Sequence, residues 1–164
     1  MKTLYHGGQK SGKSHLAEQK ALSLASGTPP YYIATYDNSY GDNEMQVRIG
    51  KHQAQREENF ITIEEPRDLN AVVNDRHTYL IDCMSMWILN TIKVDEETLL
   101  AEVEALCAKD AHIIFVLNDV GSGVIPLDAS SRKYVDRSGI IGQKLAQLCD
   151  EVYEVKLGLE NRLK

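Results

Sequence analysis

The stretch GGQKSGKS at positions 7–14 constrains this chain more than any other, because a short β-branched and aromatic run precedes it and a helical pattern follows. It reads G-x-x-x-x-G-K-S between strand and helix, the context that separates a phosphate-binding loop from a chance match. Gly7, Gly8 and Gly12 let backbone N–H groups turn toward a bound phosphate, with Gln9, Lys10 and Ser11 spanning the turn between them. The helix start adds the positive end of its dipole. Lys13 is placed to neutralise β and γ phosphates, and Ser14 to ligate Mg²⁺. A glycine-rich turn with a solvated lysine is the plainer reading, and it explains the glycines but not the Lys-Ser pair.

The rest of the chain agrees with that start. Short strand-like runs alternate with longer helical patterns, as expected when parallel strands are joined by crossover helices, so the expected class is α/β. TLYH (3–6) reads as a first strand, and 14–25 as a helix with Leu16, Ala17, Ala21 and Leu24 at helical spacing, stopped by Gly27 and TPP. YYIAT (31–35) is a second strand, 44–57 a helix, and FITIEEP an extended segment. YLIDC (79–83) and HIIFVLN (112–118) are apolar enough to be strands buried on both faces. Helices are expected over 96–109 and 131–149, and EVYEVK as a last strand. At 164 residues, with no repeat or linker, a single domain over 1–164 is expected.

Composition excludes several partners. Eighteen basic against 24 acidic residues give a formal charge of −6, which repels a phosphate backbone, so nucleic acid is not expected as the main partner. Cys83, Cys107 and Cys149 lack C-x-x-C spacing and read as reduced core thiols of a cytoplasmic protein. No stretch approaches the roughly 18 uninterrupted apolar residues of a membrane span, and no apolar leader follows Lys2.

Two further features bear on chemistry. A triphosphate needs its magnesium held from a second side, and Asp82, ending the apolar YLI run, suits that role. It suits equally a cap on the helix MSMWILN that follows. Asp119, after IIFVLN, is a second candidate with the same ambiguity. In EMQVRIGKHQAQR (44–56), residues Glu44, Arg48, His52 and Arg56 each advance about 40° around a helix and form one drifting stripe. Two nearby cations keep an imidazole neutral, and guanidiniums clamp phosphate oxygens, so the stripe fits attack by His52 on phosphorus. On spacing alone it fits a solvated helix face as well. His6, His15, His77 and His112 pair with nothing as metal ligands.

These residues carry a resemblance. The chain resembles, nearly end to end, the bifunctional adenosylcobinamide kinase and adenosylcobinamide-phosphate guanylyltransferase family of cobalamin biosynthesis. The likeness runs through GGQKSGKS, YIAT at 32–35, DNEMQVRIGKHQAQR at 42–56, LIDCMSMWILN at 80–90 and LNDVGSGVIP at 117–126. It continues through Asp136, Gly139 and Gln143 to DEVYEV. The resemblance implies a RecA-like P-loop NTPase domain with a mainly parallel sheet. It implies two steps: a nucleoside triphosphate phosphorylates the aminopropanol hydroxyl of adenosylcobinamide, then GTP transfers GMP to that phosphate and releases pyrophosphate. His52 is the implied guanylyl carrier, with Arg48 and Arg56 steadying the α-phosphate, and Thr35, Glu65 and Asp82 join residues 7–14 at the nucleotide. GTP and ATP are the implied substrates with Mg²⁺, a corrinoid is the acceptor, and a homotrimer is the implied assembly. The chain departs from the family pattern at Asp119 (commonly Glu), Val135 (Arg), Gly142 (Asn) and His6 (a small polar residue). Two other readings stay open: a P-loop small-molecule kinase lacking the guanylyl step, and a non-catalytic nucleotide sensor.

Overall fold

The computed structural model describes residues 1–37, 59–123 and 125–164. The expected helix over 44–57, with the His52 stripe, lies outside them. The chain opens with β1 (Lys2–Gly7), the phosphate loop, α1 (Lys13–Leu24) and β2 (Tyr31–Ala34). Next come β3 (Ile61–Glu64), α2 (Leu69–Val72), β4 (Thr78–Asp82), α3 (Met84–Asn90) and α4 (Glu96–Ala108). It closes with β5 (His112–Asn118), α5 (Ala129–Leu148), β6 (Glu151–Lys156) and β7 (Leu159–Arg162).

The described strands form one sheet in the order β3-β2-β4-β5-β1-β6-β7, parallel except for the β6–β7 hairpin. β4 and β5 are apolar throughout because each of their faces meets a core. Tyr79, Ile81, Ile113, Phe115 and Leu117 face α3, α4 and α5, while Leu80, Ile114 and Val116 face α1. Strands buried on both faces need that continuous run rather than alternation. α1 meets the sheet through Ala17 and Ala21, both fully buried. Side chains this short let the helix axis lie close to the strands, and that closeness sets where the phosphate loop ends.

Helix starts follow their caps. α4 begins after Asp95, whose side chain accepts from the Thr98 N–H, and α5 after Asp128, which accepts from the Ser131 N–H, two residues ahead of the start expected from periodicity. Two elements were not expected. α2 is one short turn nucleated by the Asp68 cap, and β7 is exposed along its whole length, so neither carries an apolar period.

Candidate active site

β1 sits inside the sheet between β5 and β6, so its carboxyl end delivers the loop 7–14 to the middle of the sheet's edge. The loop admits no side chain at its first glycine, where a Cβ on Gly7 would lie 2.4 Å from the Val155 carbonyl oxygen. Gly12 has φ of 100°, a left-handed conformation open to glycine, and a Cβ there would lie 3.1 Å from Gly158 Cα. The β6–β7 turn braces the loop: the Gly158 N–H donates to the Ser11 carbonyl at 2.8 Å. Ser11 Oγ is buried within the loop and has no hydrogen-bond partner among the described residues.

Lys13 is only 6 % exposed, and its Nζ donates to the Gly8 carbonyl at 3.0 Å, across the mouth of the loop. Burial lowers its pKa, and the charge of the nearby Asp82 carboxylate opposes that shift. An ammonium held in a desolvated cradle gains most when an anion arrives. Ser14, the next residue, is half-buried in the first turn of α1.

Asp82 ends β4 on the far side of β5 from the loop. The sequence left it either as a magnesium ligand or as the cap of the following helix, and the structure removes the second option. Cys83 is the cap residue of α3, with no side-chain cap bond, and Asp82 Oδ2 instead accepts from the Tyr32 hydroxyl at 3.0 Å. Tyr32 is buried on β2 and packs edge-on against Phe60, so its hydroxyl is fixed in place. Its part at the site was not legible in the sequence, because YYIAT carries two tyrosines and only strand parity tells which faces Asp82.

Thr35 and Glu65 hold the neighbouring strand ends together. Thr35 is fully buried; its hydroxyl donates to the Cys83 carbonyl at 2.8 Å and accepts from the Cys83 N–H at 3.0 Å. The Asn90 amide adds bonds to the Thr35 and Pro66 carbonyls at 2.7 and 2.9 Å. Glu65 Oε1 accepts from the N–H groups of Arg67 and Asp68, shaping the turn after β3, four strand positions from β1. Both residues thus brace the carboxyl edge of the sheet.

At the end of β5, between β4 and the loop, the Asp119 N–H donates to the Gly7 carbonyl at 2.8 Å. The Asp119 carboxylate accepts from the Gly121 and Ser122 N–H groups. Its pKa is lowered first by the Ser122 side chain, then by these amides and by His6. Cys83 is half-buried against the core beside the site: its thiol lies 3.9 Å from the Asn118 amide, and burial pushes it up to about 11. No group of three or more His, Cys, Asp or Glu side chains gathers as a metal cage among the described residues. Lys13 and Asp82 lie near one another at the carboxyl edge of the sheet, Ser14 follows Lys13 in the first turn of α1, Thr35 and Glu65 sit at the ends of the neighbouring strands, and Arg48, His52 and Arg56 lie outside the described residues.

Residues 3–163 match the family described as "Cobinamide kinase / cobinamide phosphate guanyltransferase". The chain belongs to this family. It is 38 % identical over 173 residues to "Bifunctional adenosylcobalamin biosynthesis protein CobP" of Pseudomonas aeruginosa, covering 100 % of this chain and 98 % of that protein. It is 30 % identical over 186 residues to "Bifunctional adenosylcobalamin biosynthesis protein CobU" of Escherichia coli, and 28 % over 187 residues to the Salmonella typhimurium protein of the same name. In both cases 100 % of each chain is covered. The parallel sheet and its strand–loop–helix cradle are the P-loop NTPase arrangement that such an enzyme requires.

Proposed function

We propose that one nucleotide site, in a single domain over 1–164, serves both the kinase and the guanylyl-transfer steps. The observation that carries this reading is Lys13, buried in the glycine loop, bonded across it to Gly8 and within reach of the charge of Asp82 at the end of β4. In the kinase step the loop amides and Lys13 bind the β and γ phosphates, the acceptor hydroxyl attacks the γ-phosphorus and loses its proton to solvent, the γ-phosphorus bond to the β,γ-bridging oxygen breaks, and the nucleoside diphosphate leaves. In the transfer step the same loop holds the pyrophosphate portion of GTP. The His52 imidazole attacks the α-phosphorus, a P–N bond forms, and pyrophosphate leaves. Arg48 and Arg56 balance the charge that grows on the α-phosphate oxygens. An oxygen of cobinamide phosphate then attacks the same phosphorus, the P–N bond breaks, and the histidine is regenerated.

Mg²⁺ fits the donors present. The Ser14 hydroxyl and the Asp82 carboxylate are hard oxygen ligands, Asp82 lies near enough to Lys13 for its charge to be felt there, and it is not the cap residue of the helix that follows. Bound there with phosphate oxygens and water, the ion would screen the charge of the triphosphate. GTP and ATP are the proposed nucleotides, the homotrimer the proposed assembly, and the cytoplasm the proposed compartment.

The test is to mix the purified protein with adenosylcobinamide, Mg²⁺ and GTP, and to identify the corrinoid products by mass. Adenosylcobinamide phosphate followed by adenosylcobinamide-GDP is the expected sequence. Accumulation of the phosphate alone would reduce the protein to a kinase, and nucleotide binding without any new corrinoid would leave it a sensor.

A further inference from the structure

On the sheet face away from α1, a cleft of about 430 Å³ runs beneath α5. Its floor is apolar, formed by the buried Leu4, Leu117 and Val152, with the exposed Leu163 on its rim. Its helical wall carries Gly139 and Gly142, three residues apart and therefore on one side of α5. Glycine is unfavourable in a helix interior relative to alanine, and these two leave space that any side chain would occupy. A Cβ on Gly139 would meet nothing within 4 Å, whereas one on Gly142 would lie 3.1 Å from Leu117 Cδ2. An open, mostly apolar cleft of this size along a helix is a shape suited to a ligand.

The mouth of the cleft places it in the reaction. His6, Asn118 and Asp119 line it, and they lie at the carboxyl ends of β1 and β5. His6 directly precedes the phosphate loop, and Asp119 is bonded to its first residue. Ligands of open α/β sheets bind outside these strand ends. The family's acceptor is a corrinoid, an apolar macrocycle fringed with amide arms, one of which bears the reacting hydroxyl. The cleft is too small for the ring system and matches one arm or edge: an apolar floor for its methyl and methylene groups, and amide-pairing groups at Asn118 and Gln143.

We propose that this cleft is the acceptor's docking site, gripping an edge of the corrinoid so that its hydroxyl arm is presented at the mouth beside the phosphate loop. The assignment rests on the acceptor named under Proposed function. Gly139→Leu in the full chain adds bulk to the cleft wall from a position where a Cβ meets nothing within 4 Å. Leu163→Asp puts a charge on its rim at a side chain already 62 % exposed. Equilibrium dialysis with adenosylcobinamide, followed by its visible absorbance, should find binding weakened about tenfold or more in both variants. GTP affinity and melting temperature should stay at wild-type values. Wild-type corrinoid affinity in both folded variants would overturn the cleft while leaving the function standing, and a wild-type protein that binds no cobinamide would overturn both.

Discussion

Lys13 and Tyr32 make separate contributions that substitution can resolve. Lys13→Ala removes the one side-chain cation that the described residues place inside the phosphate loop, so both corrinoid-forming activities should fall by about 10²–10³-fold. Initial rates of each step, measured separately, check this. Tyr32 acts one bond further out, by aiming the Asp82 carboxylate. Tyr32→Phe keeps the ring against Phe60 and deletes the hydroxyl. The Mg²⁺ concentration for half-maximal rate should rise roughly tenfold while the rate at saturating Mg²⁺ changes little, and a magnesium titration separates the two. A fall in rate with no change in the magnesium requirement would place the tyrosine elsewhere in the mechanism. The sequence made Lys13 and Ser14 legible because a phosphate loop has a fixed spacing. Asp82 was legible only as one of two readings, since a strand-ending aspartate suits a metal and a helix cap alike.

Among the elements, the phosphate loop depends on a neighbour far away in the sequence. Gly12 meets Gly158 at the β6–β7 turn, and Leu157 beside it also adopts a positive φ, of 55°. Gly12→Ala forces a Cβ into that turn and into a left-handed conformation, at a cost of roughly 1–3 kcal/mol. The expected result is a lower melting temperature together with lost GTP affinity, whereas alanine at an open glycine such as Gly139 should do neither. The hairpin escaped the sequence reading because LENR is polar at three of four positions and is exposed throughout. An edge strand buried on neither face leaves no period to detect. The central strands were legible for the opposite reason, since HIIFVLN is buried on both faces and the chain states this as a continuous apolar run.

At the scale of the whole molecule, ion pairs tie the layers around the sheet. Lys20 of α1 reaches Glu151 of β6 at 2.6 Å, and this hydrogen bond is the main reason the Glu151 pKa is lowered. A carboxyl whose folded value is depressed contributes stability above its ordinary value of about 4.3, and that contribution is lost as pH falls through the lower folded value. Unfolding free energy measured from pH 6 downward should therefore decline less steeply in Lys20→Met than in the wild type. The central claim is that one nucleotide pocket drives two chemistries because a histidine carries GMP between them, and the self-guanylylation half-reaction tests it most directly. Protein incubated with Mg²⁺ and GTP labelled at the α-phosphate, with no cobinamide, should acquire a covalent label that is lost in acid and persists in base, as a phosphorus–nitrogen bond does. GTP labelled at the γ-phosphate should leave nothing, and His52→Ala should bind GTP without becoming labelled. A label that survives on His52→Ala, or that behaves as a hydroxyl ester, would contradict the account.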